Sequence, residues 1–391
     1  MAISIIQNPA NVSLSQSPII FAVSESSAEL LTSSSVQYVA ELYYFSGSET
    51  NSGSSADYTL LKFPNQSQTG IFDVSRVLTS TFTDLLAAES SSVKYFAIDS
   101  YIQYKTSPSS SFFTSSHVKS DTYKTIDGYS LFQESVSQEI QNKSDFWPLM
   151  TDGPVSQSYF DSNGGRMGAW IGANGSESLP DKIKYVDDSG TGYYTLPTTT
   201  GTTQTQIADF PIGNQESDFP LSGSNGTFTV QAQSGSTDLG DPITFNYECT
   251  KKYPNVRIKW KNRYGQFDYF NFNLVSKETF NTQRSRYQPQ IGSWDSRTLT
   301  YESYESSIQN YITDSTLKLS VNTDYVSEDY NDIFKQLMVS DEIYWVYNET
   351  NESVRPLSID TSRFNIKTNV VDKLIQYSFD FTQGQGYKLI F

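Results

Sequence analysis

Apolar and polar residues alternate with a period of two over long stretches of the chain, most clearly from Val256 to Leu274. Val256, Ile258 and Trp260 alternate with Arg257, Lys259 and Lys261, and Phe270, Phe272 and Leu274 alternate with Asn271 and Asn273. Asn262-Arg263-Tyr264-Gly265-Gln266 separates the two arms, so the stretch predicts a β-hairpin with one apolar and one polar face. The same signal predicts strands over Ile19–Val23, Val36–Phe45, Tyr58–Phe63 and Val93–Tyr104 near the start. It predicts them over Thr244–Cys249, Leu317–Val321, Glu342–Tyr347, Val354–Ile359, Phe364–Lys367 and Leu374–Phe381 near the end.

Helical periodicity is scarce. Asp73 precedes Val74, Val77, Leu78, Phe82 and Leu85, which fall on one helical face. A second helix is expected after Ser327, with Glu328 and Asp329 in the first turn and Ile333, Phe334, Leu337 and Met338 inward. Tyr129–Asn142 is a third, short candidate. The expected fold is therefore mostly β: a multi-domain β-sandwich with an Ig-like N-terminal domain and a β-rich C-terminal domain carrying one or two short helices. The expected domains are 1–106, a loop-rich β insertion or arm over 107–243, and 244–391. Within the middle region, short strands over Arg166–Ile171, Lys182–Val186 and Thr227–Gln231 alternate with glycine-rich turns and the polar tract Thr198–Thr205.

Composition strengthens the β assignment. The 391 residues include 27 Tyr and 24 Phe but only 18% charged residues, and Ser, Thr and Asn fill many polar positions. The net charge of −16 disfavours nucleic acid as a partner, because phosphate contacts need a basic surface. No apolar run approaches the roughly 18 residues of a membrane helix, and the opening has no basic start followed by an apolar block. No membrane partner and no secretory signal are expected.

Candidate chemistry is thin. With one cysteine, Cys249, and one histidine, His117, no intrachain disulfide and no cysteine- or histidine-rich metal centre can be assembled. His117 has no acidic neighbour in sequence before Asp121, so nothing nearby completes a Ser-His-Asp arrangement. Carboxylate pairs such as Asp187 and Asp188 look like solvated loop acids, and Asp161-Ser-Asn163-Gly-Gly like an Asx-type turn rather than a calcium loop. No catalytic residue, cofactor or metal is expected. Two sets of residues remain as binding candidates. Lys251, Lys252, Arg257, Lys259, Lys261 and Arg263 form the one basic cluster, either the polar face of a strand or a dock for an acidic neighbouring subunit. Trp170, Tyr193 and Tyr194 could stack on a glycan or a partner, or fill a β core.

Three blocks carry a resemblance. They are Ser17-Pro18-Ile19-Ile20-Phe21 with Gly70-Ile71-Phe72-Asp73-Val74-Ser75-Arg76-Val77-Leu78; Trp260 to Phe272; and Asp372-Lys-Leu-Ile-Gln-Tyr-Ser-Phe379. Together they resemble virion structural proteins of tailed bacteriophages, especially those infecting Bacteroidetes, and they leave 107–243 uncovered. The resemblance implies a non-enzymatic component of the tail, neck or baseplate region. Its partners would be copies of itself and other virion proteins; it would be made in the host cytoplasm, located in the virion and released by host lysis. The alternatives are a carbohydrate-binding receptor or adhesin that meets a host surface glycan, a head decoration protein, and a polysaccharide-degrading tail enzyme. The last would need a pair of partly buried carboxylates facing a groove.

Overall fold

The computed structural model describes residues 3–26, 35–45, 55–82, 93–130, 148–160, 164–171, 179–197, 207–221, 226–248, 252–348, 353–368, 375–384 and 387–390. The protein is mostly β, with several sheets and two short helices. It divides into two compact units: residues 1–248 together with Lys261–Asp268, and residues 249–260 together with 269–391.

In the first unit, a three-stranded sheet runs in the order Ile3–Gln7, Ile20–Glu25, Thr69–Asp73. A seven-stranded sheet is ordered Val12–Leu14, Tyr123–Ile126, Lys94–Lys105, Ser35–Phe45, Tyr58–Lys62, with Phe113–Thr114 and Val118–Lys119 also on Lys94–Lys105. Phe21, Phe72, Phe96, Tyr38 and Leu78 are buried together in one core. The two halves of the first sequence block meet here. Ile20 lies opposite Asp73, and the Asp73 carboxylate accepts the backbone N–H groups of Ile19 and Ser75 at 3.2 and 3.0 Å. Gly70 is required at its position because a Cβ there would sit 2.7 Å from the Tyr38 ring.

Residues 107–243, expected to be rich in loops, contribute to a five-stranded sheet. Its order is Ser156–Tyr159, Thr237–Tyr247, Phe228–Ser234, Lys182–Asp187, Gly190–Thr195. A separate pair joins Arg166–Trp170 to Ile207–Pro211. Tyr159, Phe219, Phe228 and Phe245 interlock edge-to-face and in stacks, with centroids 5.1 to 5.3 Å apart along the chain of contacts.

The second unit holds most of an eight-stranded sheet, ordered Phe267–Phe272, Val256–Lys261, Ile343–Asn348, Ser353–Ile359, Ser378–Gln383, Gln309–Asn322, Lys277–Tyr287, with Tyr387–Ile390 also on Gln309–Asn322. The helix Asn331–Val339 lays Ile333, Phe334 and Leu337 into the core against Phe272 and Phe379. The Phe334 ring is 5.0 Å from Phe270 and 5.3 Å from both Tyr377 and Phe379.

Several expected elements differ. Phe364–Lys367 forms no strand; Phe364 instead packs its ring on Tyr377 at 4.8 Å, so its apolar character serves the core without a ladder. The helix after Asp73 is only Ser75–Thr79 among the described residues, and Leu85 lies outside them. Ser327 gives no side-chain cap; its hydroxyl donates to Asp329. The expected helix over 129–142 lies outside the described residues beyond Ser130. The hairpin Val256–Leu274 is present, but its polar face is not open to solvent: all six residues of Val256–Lys261 are buried. Alternation reveals two faces without saying whether the polar one is covered.

Candidate assembly surface

The residues of the basic cluster lie in or next to that buried hairpin. Arg257, Lys259 and Lys261 are at most 4% exposed, so they form no docking patch. The Arg257 guanidinium lies over the Tyr269 ring at 4.6 Å, and Lys261 pairs with Asp127 at 2.7 Å. Arg263 forms an ion pair with Asp152, whose Oδ1 also accepts the Tyr264 hydroxyl at 2.9 Å. Buried charge is tolerated only when met in this way. Lys252 is exposed, and Lys251 lies outside the described residues.

The remaining tip residues are equally committed. The Asn262 side chain donates to the Met150 carbonyl and accepts from the backbone N–H of Tyr264 and Gln266, all within 3.0 Å. Gly265 has φ +71°, and a Cβ there would lie 1.9 Å from the Asp127 carbonyl oxygen. Asp268 is buried and accepts a 2.6 Å hydrogen bond from the Thr151 hydroxyl. Burial pushes its carboxyl up to about 7, against the opposing pull of Thr151 and Asn262. Lys261–Asp268, the tip of the second sequence block, is thus a structural plug within the first unit.

The aromatic candidates separate. Trp170 is 1% exposed and belongs to a core cluster with Met150 and Ile207, so it cannot stack on a glycan. Tyr193 is exposed, with the Lys182 ammonium 5.0 Å above its ring. Tyr194 is half-buried, and its hydroxyl accepts from Arg166 at 3.1 Å.

The structure gives His117 a partner that sequence proximity hides: its Nδ1 lies 3.3 Å from Asp99, and its ring packs 4.3 Å from Tyr101. Asp99 in turn sits directly opposite Glu41 across the strands. Both Glu41 oxygens accept tyrosine hydroxyls, from Tyr43 and Tyr101, each at 3.0 Å. Burial, reinforced by Glu41, pushes the Tyr101 hydroxyl up to about 12. The hydroxyls of Ser100, Ser115 and Ser120 donate to backbone carbonyls rather than to His117. The constellation is a partly buried hydrogen-bonded network in which none of these three serines donates to His117. Asp187 accepts from the backbone N–H of Ser189 and Gly190, an Asx-type turn. Among the described residues no group of three or more His, Cys, Asp or Glu side chains could hold a metal ion. Among them, too, no helix is long and apolar enough to cross a membrane.

What stands out is a region without candidates in the sequence. Lys277–Tyr287 and Gln309–Asn322 pair along their length, and the chain between them continues into a small hairpin, Ser293–Asp295 with Thr298–Thr300. From Lys277 to Tyr311 nearly every residue is exposed. Six aromatic side chains are among them: Phe280, Tyr287, Trp294, Tyr301, Tyr304 and Tyr311, with Trp294 66%, Tyr301 70% and Tyr304 83% exposed. Phe280 is directly opposite Leu317, on the face that carries Leu319 and Val321 into the core, yet it is 57% exposed. The apolar face of the sheet therefore runs on past the core that the described residues supply. With about 150–250 Å² per ring, the six rings leave roughly 700 Å² in water. That surface is spread along the arm, since Phe280 and Tyr287 alternate onto opposite faces of one strand. Sequence reasoning missed the arm because its strands are polar and lack alternation; the run of aromatics among Ser, Gln and Arg was the available signal.

No protein-family model matches the chain, and no curated protein does. Among solved structures it aligns with a crystal structure of a Salmonella alpha-2-macroglobulin mutant, at 9% identity and a TM-score of 0.19, with all of this chain covering 34% of that one. The chain thus spans about a third of the length of the structure it matches, and at that score the alignment carries no statement about fold or function.

Proposed function

We propose that the protein is a non-enzymatic structural component of a tailed-phage virion, in the tail, neck or baseplate region, that acts through subunit–subunit assembly. The observation that carries this reading is the exposed aromatic arm between Lys277 and Asn322. A concentration of exposed rings marks an interaction surface, and Trp and Tyr dominate the energetics of such contacts. The three sequence blocks that resemble virion proteins support the same reading. The sheets of the first unit then serve as an Ig-like sandwich, and the eight-stranded sheet with its helix as a sandwich-like packing body. Copies of this chain and other virion proteins are the partners.

A second reading has one observation in its favour. Trp294, Tyr301 and Tyr304 are exposed as sugar-stacking rings are, which suits a receptor protein that meets a host surface glycan. The test is mass spectrometry of purified phage particles together with binding of the isolated protein to host-surface polysaccharide. Assembly predicts the chain in stoichiometric amounts in particles, with no polysaccharide binding. A chain absent from particles overturns the proposal, and binding lost on Trp294→Ser turns it toward the receptor reading.

A further inference from the structure

The strand Lys277–Tyr287 ends the eight-stranded sheet: it pairs with Gln309–Asn322 on one side and, among the described residues, with no strand on the other. It is 11 residues long. It contains no proline, and the register shift near Ser285 places the extra residue, Tyr311, on the inner strand. The outer strand is therefore regular along its length. Natural edge strands are usually shortened, bulged, interrupted by proline, covered or guarded by charge, because a bare edge recruits another strand. Among the described residues only charge guards this one, and its charges are of both signs.

The side chains along this edge say which strand fits. Glu278, Phe280, Thr282, Arg284 and Arg286 share one face, since successive side chains alternate. If the strand meets a second copy of itself antiparallel about a two-fold axis at Thr282, Glu278 falls opposite Arg286 and Phe280 opposite Arg284. The symmetry repeats both matches. Two opposite-charge pairs and two cation–aromatic pairs result, and no like charges are opposed on that face. Antiparallel pairing also sends the tip of each arm, with Trp294, Tyr301 and Tyr304, past the partner's Lys277 toward the body of the partner. The roughly 700 Å² of ring surface on each arm matches the ~800 Å² that each side of a standard interface buries.

We infer that Lys277–Tyr287 is a homodimer edge, pairing antiparallel with the same strand of a second copy about Thr282 and joining two sheets into one. The inference rests on the assembly reading and names its first partner.

The decisive property is that Glu278 and Arg286 lie eight residues apart on one strand, roughly 27 Å, so they meet only across copies. Sedimentation of the purified full-length protein should give a dimer. Glu278→Arg or Arg286→Glu alone should weaken it roughly tenfold or more, by setting like charges opposite each other twice. The two changes in one chain should restore it. As a measurement that does not depend on charge, Thr282→Cys in a Cys249→Ser background should oxidise to a disulfide-linked dimer. The two Cα atoms would lie about 4.5–5.5 Å apart, within disulfide reach. Arg286→Cys in the same background should stay monomeric on a non-reducing gel. A dimer that the double reversal fails to rescue overturns the pairing, as does a Thr282→Cys chain that never crosslinks. A protein monomeric in solution whose edge is covered only in particles also overturns it, in favour of another virion protein, and leaves the assembly reading standing. Absence of the chain from particles overturns the assembly reading instead and leaves the dimer untouched.

Discussion

Asp268→Asn should make the protein more stable at pH 8 and have only a small effect at pH 4.5. Asp268 is buried, with Thr151 donating to one carboxylate oxygen at 2.6 Å and, among the described residues, no hydrogen-bond partner on the other. Its carboxyl is pushed from 3.8 to about 7, mainly by burial. The folded state therefore holds this proton more tightly than the unfolded chain does. Well below pH 4 both states are protonated and the group costs nothing. As pH rises from about 4 to 7 the unfolded state ionises freely while the folded state resists, and stability falls. Above about pH 7 the penalty is complete. A shift of that size corresponds to at most about 4 kcal/mol. Asparagine keeps the shape and the acceptor for Thr151 and has no charge to bury. The assay is denaturant unfolding of both proteins at pH 4.5, 6 and 8, fitted as separate transitions for the two units. The difference between variant and parent should be no more than about 1 kcal/mol at pH 4.5 and grow to about 4 kcal/mol in favour of asparagine by pH 8. A difference that is flat with pH, or a variant less stable at pH 8, would refute the reasoning.

Three further outcomes follow from packing. Gly265→Ala should cost about 2–4 kcal/mol, because its Cβ would meet the Asp127 carbonyl at 1.9 Å and φ is +71°; unfolding midpoints measure it, and a neutral result contradicts the plug. Phe334→Ala should cost about 3–5 kcal/mol, since its ring fills the core of the second unit against Phe270, Tyr377 and Phe379; the same midpoints should move for that unit alone. Trp294→Ser with Tyr304→Ser should change monomer stability by no more than about 0.5 kcal/mol while weakening self-association at least tenfold; calorimetry and sedimentation together separate the two effects.

The mostly β class was legible because alternation and aromatic composition act locally. Ser35–Phe45, Lys94–Lys105, Val256–Lys261 and Ser353–Ile359 lie close to where the pattern places them. The fate of the polar faces was not legible. Lys261 and Arg263 find Asp127 and Asp152 far back in the chain, so the charges that let them be buried cannot be read from neighbours. His117 and Asp99 are likewise brought together by strand pairing alone. Trp170 went into a core for the same reason. The arm failed in the opposite direction: Lys277–Tyr287 has no alternation because neither of its faces is fully buried in this chain. A strand whose apolar partner lies on another molecule carries only half of its pattern in its own sequence.

If the arm is an assembly surface it is covered in the assembled particle, and a side-chain-resolution reconstruction of the virion decides this. The account predicts that Trp294, Tyr301 and Tyr304 are packed against a neighbouring subunit and that Lys277–Tyr287 is paired along its free edge. An arm that projects bare into solvent in the intact particle would contradict it.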